Sequence, residues 1–162
     1  MNSTTKKYNF TGKVALVTGS SSGIGAAIAV QLAKYGAQVT ITGRNVADLE
    51  EVARTIEKVS SNGVSALALI GDLRQDDSFR AKLVNETVAK FGRLDLLVNN
   101  AAEPSLAKLV TPGTALLDEF DRIFKLNVRV PVELTQLALP HLEKTKGNII
   151  NISSVAAIKP VS

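Results

Sequence analysis

The fold is decided by one stretch of small residues, Thr18-Gly19-Ser20-Ser21-Ser22-Gly23-Ile24-Gly25. It follows residues 14–17, a short apolar run rich in β-branched side chains that is typical of a buried parallel strand. It leads into residues 24–35, where apolar side chains recur at helical spacing. Glycines at such a junction permit a tight turn and let a phosphate approach the unpaired N–H groups of the helix N-terminus. The stretch therefore predicts a dinucleotide site; a flexible turn of small residues is the alternative.

Short apolar runs and amphipathic stretches alternate along the rest of the chain. Strands are predicted at residues 14–17, 38–42, 66–70, 94–98 and 148–152, and helices at 24–35, after the capping residue Asn45, at about 76–91 and at about 116–142. Such alternation requires parallel strands joined by right-handed crossovers. The sequence therefore predicts an α/β fold with a doubly wound parallel sheet, formed by one domain over residues 12–162 after a polar tail over residues 1–11.

Composition excludes several classes of function. The 162 residues carry 19 basic and 15 acidic side chains, a net charge of +4 that is too small and too scattered to indicate a nucleic-acid partner. The chain has no cysteine and a single histidine, His141, which excludes disulfides and argues against a metal site. No apolar run approaches the roughly 18 residues of a membrane span, and no secretory signal is present. The expectation is a cytoplasmic protein with no membrane partner.

Four further motifs follow the predicted elements. Asp72 comes after the third strand, Asn99-Asn100-Ala101-Ala102 after the fourth, Asn127 lies in the long helix, and Asn151-Ile152-Ser153-Ser154 closes the fifth strand. With the glycine turn, these motifs and their order resemble the short-chain dehydrogenase/reductase family from about Gly12 to the end of the chain. The resemblance implies a Rossmann-like sheet of five strands in the order 3-2-1-4-5, truncated from a seven-stranded family fold. It also argues against an S-adenosylmethionine methyltransferase, which shares the doubly wound sheet and a glycine turn.

The resemblance implies which residues contact the cofactor. Asp72 would hold the adenine amino group with Leu73 packed nearby, while Asn99 and Ala101 would border the cofactor ribose. The position of Asp72 supports this independently, because open α/β sheets bind ligands beyond the carboxyl ends of their strands; a helix N-cap is the alternative. In the turn, the expected cofactor-binding residues are Gly19, Ser21, Ser22, Gly23, Ile24 and Gly25.

The end of the second strand indicates NADP rather than NAD. Family members that prefer NAD usually carry an acidic residue there, which binds the ribose hydroxyls. Here the position is Gly43, and Arg44 follows. A guanidinium can form two charge-assisted hydrogen bonds to a 2′-phosphate. A single bond of this kind is enough to favour NADP over NAD by roughly 10- to 100-fold. A solvated surface arginine at the start of a helix is the alternative.

Two residues match catalytic positions of the family. By resemblance, Ser154 would hold the substrate oxygen, with Ser153 as the adjacent alternative, and Asn127 would support a water on the proton path. Pro131 lies four residues after Asn127 and has no N–H, so the Asn127 carbonyl loses its helical donor. That loss either frees the carbonyl for the family's role or produces only a kink in the helix.

The family's tyrosine and lysine are absent from residues 1–162. The motif Tyr-x-x-x-Lys is expected near position 167, and neither Tyr8 nor Tyr35 fits it. A tyrosine needs the lysine because its unperturbed pKa of about 10 is too high for a general base at neutral pH. We expect this chain to be an inactive fragment of an NADP(H)-dependent oxidoreductase. The full-length enzyme would act on a small alcohol or carbonyl and form a homo-oligomer. The alternative is a non-catalytic nucleotide-binding module.

Overall fold

A computed structural model describes residues 8–60, 63–75, 77–104 and 115–155. In these residues the order of elements is β1 (Val14–Val17), α1 (Gly23–Lys34), β2 (Gln38–Gly43), α2 (Val46–Val59), β3 (Leu67–Ile70), α3 (Asp77–Phe91), β4 (Leu96–Asn99), α4 (Ala115–Phe124), a π-helical turn (Lys125–Arg129), α5 (Val130–Thr145) and β5 (Asn148–Asn151). Asp76, the predicted first residue of the third helix, and most of the predicted polar tail lie outside the described residues.

The five strands form one parallel sheet in the order β3-β2-β1-β4-β5. In the register of this sheet, Leu16 of β1 lies between Thr40 of β2 and Leu97 of β4. The predicted doubly wound sheet and its strand order are thus confirmed. Every predicted strand is present, and its ends differ from the prediction by at most two residues, as expected where strands fray.

The two faces of the sheet are covered by different helices. One core layer packs residues of α3 and α5, among them Leu83 and Leu134, against Leu16 of β1. The other layer packs residues of α1 and α2, among them Ala29 and Leu49, against the adjacent strand residue Val17. Neighbouring residues of β1 point to opposite faces, as the pleat of a strand requires. This arrangement explains why β1 is apolar throughout.

The long helix predicted over residues 116–142 is interrupted. It consists of α4, the π-helical turn and α5, and it continues to Thr145, where Lys146 adopts a left-handed conformation with φ of 53°. In the π-helical turn the Val130 N–H donates to the Lys125 carbonyl, five residues earlier. Pro131 follows at once and cannot donate to Asn127, so the interruption falls where the α-helical bond is missing. In the described part of the chain, no helix combines the length and apolar character that crossing a membrane requires.

Asp95 joins the beginnings of two central strands at the edge opposite the glycine turn. Its side chain is buried and accepts hydrogen bonds from the Val14 backbone and the Lys13 ammonium group, each at 3.0 Å. The Arg93 guanidinium donates to both carboxylate oxygens, at 2.7 and 2.6 Å. Burial on its own raises the pKa of Asp95, but the bonds from Arg93, Lys13 and Val14 outweigh it and hold the pKa below its ordinary value.

A buried arginine fixes the loop that follows β3. Arg80 of α3 is 1% exposed, and its guanidinium donates to the Leu73 carbonyl at 2.5 Å. The same guanidinium pairs with Asp77 and with Glu133 of α5. Because these contacts hold the loop against two helices, the residues after β3 are placed firmly at the carboxyl edge of the sheet.

Candidate nucleotide site and adjoining cavity

The glycine turn is shaped by close contacts that only glycine permits at two positions. Gly19 has a φ of 61°, and a Cβ there would lie 2.8 Å from the Cα of Ala101. A Cβ on Gly25 would lie 2.4 Å from both the Asn100 side-chain nitrogen and the Gly19 carbonyl oxygen. The turn is therefore packed directly against the chain that leaves β4.

The residues after β4 hold the turn by hydrogen bonds. The Thr18 hydroxyl accepts from the backbone N–H groups of Asn100 and Ala101, both at 3.0 Å. In return, the Asn100 side chain donates to the carbonyls of Thr18 and Gly19 at 2.9 and 3.1 Å. Ser20 is fully buried and donates to the Val17 carbonyl at 2.8 Å. The turn is therefore held together by Thr18, Ser20 and Asn100, while Ser22, Gly23 and Ile24 are exposed.

The start of α1 presents backbone N–H groups next to this turn. Ser22 stands at the N-cap position, but its side chain does not cap the helix, and the first helical turn contains no acidic residue. In α2, by contrast, the Asn45 side chain accepts from the Asp48 N–H at 3.3 Å, which confirms the predicted cap. The uncapped N-terminus of α1 thus keeps its partial positive charge, which favours an anionic group.

A cavity of about 210 Å³ opens in front of the turn, and we call it the nucleotide pocket. Seven of the predicted cofactor-binding residues line it: Gly19, Ser21, Ser22, Arg44, Asp72, Leu73 and Ala101. A Cβ on Gly43, which also lines the pocket, would lie 2.7 Å from the Ser21 side chain. The end of β2 therefore has no room for an acidic side chain unless Ser21 moves.

The two arginines of the nucleotide pocket, Arg74 and Arg44, differ in their ion pairs. Arg74 donates to Asp72 from Nε at 3.1 Å and from Nη2 at 2.8 Å, and to both oxygens of Glu103 at 3.2 and 3.0 Å. Hydrogen bonds from Arg74 hold the pKa of Asp72 below its ordinary value against partial burial, and the charge of Arg44 adds to this effect. Arg44 is exposed and forms no ion pair with any residue that the structure describes. Arg74 is therefore neutralised by carboxylates, whereas Arg44 offers a free positive charge.

A second cavity of about 970 Å³, which we call the substrate cavity, shares Asn100, Ala101 and Ala102 with the nucleotide pocket. Besides Ala101, four predicted site residues line it: Ile24, Asn99, Asn127 and Ser154. The structure thus brings the two predicted catalytic residues to one cavity. The remaining two predicted residues, Gly23 and Gly25, line neither cavity; they shape the turn and the first turn of α1.

The side chain of Asn127 is occupied by the backbone of one residue. Its carbonyl oxygen accepts from the Glu103 N–H at 3.0 Å, and its amide donates to the Glu103 carbonyl at 2.9 Å. Asn99 donates to the Asn151 side chain at 2.9 Å, which ties the ends of β4 and β5 together. These contacts fix the wall of the substrate cavity that faces the nucleotide pocket.

The residues of the site that sequence reasoning missed include three with polar or charged side chains. Arg74 and Thr42 line the nucleotide pocket, and Glu103 lines the substrate cavity. Thr42 ends a predicted strand, and Arg74 lies two positions after Asp72 in the loop that follows another, so their positions at the ligand-binding edge could have indicated them. Glu103 follows the Asn99-to-Ala102 motif directly, but only the folded chain shows that it contacts Arg74 and Asn127.

A parallel sheet with this strand order, and a cleft at the carboxyl ends of its strands, defines a Rossmann-like α/β domain. Comparison with known proteins narrows the class, because residues 13–162 match the family model of the short chain dehydrogenases. The chain therefore belongs to the short-chain dehydrogenase family, which consists of oxidoreductases that bind NAD or NADP.

Individual relatives agree with this assignment. The chain is 37% identical over 153 residues to 11-beta-hydroxysteroid dehydrogenase-like 2 of Arabidopsis thaliana, a match that covers 94% of this chain and 48% of the plant protein. The structure of a glucose dehydrogenase of Caenorhabditis elegans in the apo form matches with a TM-score of 0.78 and 41% identity, over 92% of this chain and 57% of that one. A metagenomic short-chain oxidoreductase in complex with NADP matches with a TM-score of 0.80 and 36% identity, over 94% and 67%. The chain spans about half the length of the curated relatives it matches.

Proposed function

We propose that this chain carries the cofactor site of an NADP(H)-dependent short-chain oxidoreductase that transfers hydride to or from a small alcohol or carbonyl compound. The observation that supports NADP is the end of β2. A carboxylate at Gly43 would require the Ser21 side chain to move, and Arg44, which adjoins Gly43 in the nucleotide pocket, has no ion-pair partner in the described part of the chain. A free guanidinium at this position attracts a 2′-phosphate, and the Asp72 carboxylate of the same pocket is paired with Arg74.

The pocket residues fit such a cofactor. In the described residues, two buried side-chain oxygens have no hydrogen-bond partner: Oγ1 of Thr42, which lines the nucleotide pocket, and Oδ1 of Asn99, which lines the substrate cavity. Burying a polar atom without a partner costs about 1–3 kcal/mol, so a polar ligand that reached these atoms would relieve the cost. Both lie on strands that end at the cleft, where a dinucleotide would extend from one cavity to the other.

Each end of the cofactor has residues suited to hold it. Asp72 and Leu73 would hold the adenine, Arg44 the 2′-phosphate, and Ser21, Ser22 and the start of α1 the pyrophosphate. Asn99 and Ala101 would border the second ribose, next to the substrate cavity. When bound, the nicotinamide supplies or accepts the hydride.

The substrate side of the chemistry rests on Ser154 and Asn127. Both line the substrate cavity, where the Ser154 hydroxyl can donate to a substrate oxygen. Asn127, which lies within the π-helical turn, would support a water on the proton path. Because residues 1–162 contain no Tyr-x-x-x-Lys, we expect this segment expressed by itself to bind nucleotide without turning over an alcohol or carbonyl.

The cofactor assignment is tested by calorimetry with NADP⁺ and NAD⁺ on the wild type and on Arg44→Ala. We expect the wild type to prefer NADP⁺ and Arg44→Ala to lose roughly 10- to 100-fold of that preference, because the guanidinium bonds to the 2′-phosphate disappear. The control is Arg54→Ala, which removes an exposed arginine on α2 that pairs only weakly with Glu50 at 3.8 Å. Equal affinity of the wild type for the two cofactors would overturn the assignment of Arg44.

A further inference from the structure

A continuous set of contacts joins the nucleotide pocket to Asn127. Arg74 lies between two carboxylates: it binds Asp72 through Nε and Nη2, and Glu103 through Nη1 at 3.2 and 3.0 Å. The backbone of Glu103 is in turn held at both its N–H and its carbonyl by the Asn127 side chain. The side chains of Asp72, Arg74 and Glu103 are 16, 19 and 14% exposed, so the two ion pairs of Arg74 are largely shielded from water, whereas the bonds between Glu103 and Asn127 are exposed.

Glu103 is also anchored from the other side. Arg122 of α4 binds the Glu103 carboxylate at 2.6 Å and approaches Glu119 at 3.9 Å. Two guanidinium groups therefore share one carboxylate, and only Arg74 belongs to the nucleotide pocket. If Arg74 loses or gains a hydrogen bond to Asp72, its bonds to the Glu103 carboxylate change, and so does the share of that carboxylate left to Arg122. Because the backbone of the same residue carries the hydrogen bonds to Asn127, such a change reaches the substrate cavity.

We propose that Glu103 is a positioning residue that couples nucleotide occupancy at Asp72 to the placement of the Asn127 side chain, with Arg74 as the connecting group. The inference rests on the proposed function, because it takes Asp72 as the adenine contact and Asn127 as part of the catalytic apparatus. A ligand shifts a protein from one conformation to another only if it binds the second conformation more tightly than the first. A nucleotide that donates to Asp72 competes with Arg74 for that carboxylate and so supplies the difference.

The coupling is tested first without ligand, by NMR of the ¹⁵N-labelled chain at a concentration where light scattering shows a monomer. The probe is the side-chain amide of Asn127, assigned by its loss in Asn127→Asp. We expect Arg74→Gln to shift this resonance in the wild-type background and to leave it unchanged in the Glu103→Gln background. The control Glu143→Gln removes an exposed acid of α5 and should not move it. The same Arg74→Gln shift in both backgrounds, or none in either, would overturn the proposal.

A second arm uses adenosine 2′,5′-bisphosphate, which lacks the nicotinamide and should occupy the nucleotide pocket without entering the substrate cavity. At saturation measured by calorimetry, we expect it to shift the Asn127 amide in the wild type and not in Glu103→Gln, although both bind it. Equal responses of the two proteins, or a bound wild type with no response, would contradict the coupling. Absence of binding contradicts the proposed function instead, and the ligand-free comparison then still decides the role of Glu103.

Discussion

At the scale of single residues, the glycine turn shows that a missing side chain can be required by tertiary packing. Gly25 lies within α1, where alanine would ordinarily be the better helix former by about 1 kcal/mol. Here the space is taken by Asn100 and the Gly19 carbonyl, so the residue acts through tertiary packing instead of backbone freedom. The same contact places Asn100 where it can hold the turn.

We expect Gly25→Ala to destabilise the protein by about 1–3 kcal/mol, because its methyl group would overpack the contact with Asn100 and Gly19. The measurement is the midpoint of urea unfolding. The reverse change at an exposed position of the same helix, Ala27→Gly, should cost about 1 kcal/mol and shows the ordinary helix preference. If the Gly25→Ala protein were more stable than the wild type, the glycine turn would have to accommodate the methyl group without loss of stability.

At the scale of elements, Asp95 holds the starts of β1 and β4 together. The folded-state pKa of this carboxyl lies below its ordinary value, so the unfolded chain takes up the proton first as pH falls. The stabilising effect is therefore complete above the unfolded pKa of about 3.9 and is lost as pH falls from there through the folded pKa. Asp72, with a pKa shifted in the same direction, contributes in the same window.

We expect the free energy of unfolding to fall on acidification below about pH 4, and Asp95→Asn to reduce that slope. The amide should also lower stability at pH 7, because it cannot satisfy Arg93 and Lys13 as the carboxylate does. Urea unfolding between pH 3 and 7 measures both effects, with Glu143→Gln as the control for loss of an exposed acid. An unchanged acid slope in Asp95→Asn would assign the effect to other carboxyl groups.

The strand β5 lies at an end of the described sheet. Its sequence, Asn148-Ile149-Ile150-Asn151, carries no charge, and Ile150 is 44% exposed. An uncharged apolar edge strand can pair with a strand of another molecule. Lys144 and Lys146 precede β5 and so do not interrupt its edge.

We therefore expect the 162-residue chain to associate in a concentration-dependent manner and Ile150→Lys to reduce that association. Light scattering over a range of concentrations is the measurement. Val46→Lys, at an equally exposed apolar position (47%) at the start of α2, is the matched control and should leave the association unchanged. A wild-type chain that stays monomeric throughout would contradict the argument from the edge.

At the scale of the whole molecule, local sequence patterns predict the elements well because each strand and helix has its own periodicity. The alternation of strands and helices also predicts the parallel sheet with its right-handed crossovers, whereas the strand order follows only from the resemblance of the motifs to the family. The side-chain arrangement of the site does not follow in the same way. The motif Asn99-Asn100 marks both asparagines, but only packing shows that Asn100 holds the turn while Asn99 binds Asn151. Likewise, Arg74 and Glu103 are 29 positions apart, and their contact depends on the loops that the folded sheet brings together.

The bonds between the glycine turn and the end of β4 have a consequence for the order of folding. Thr18 and Asn100 are 82 positions apart, and contacts this distant in sequence form slowly because a long loop must first be closed. During synthesis, a nascent chain that has not yet released β4 contains the complete glycine motif but lacks the bonds from Asn100 and Ala101 that hold Thr18 and Gly19. If the chain binds a nucleotide as proposed, we therefore expect this ability only after about the hundredth residue has left the ribosome.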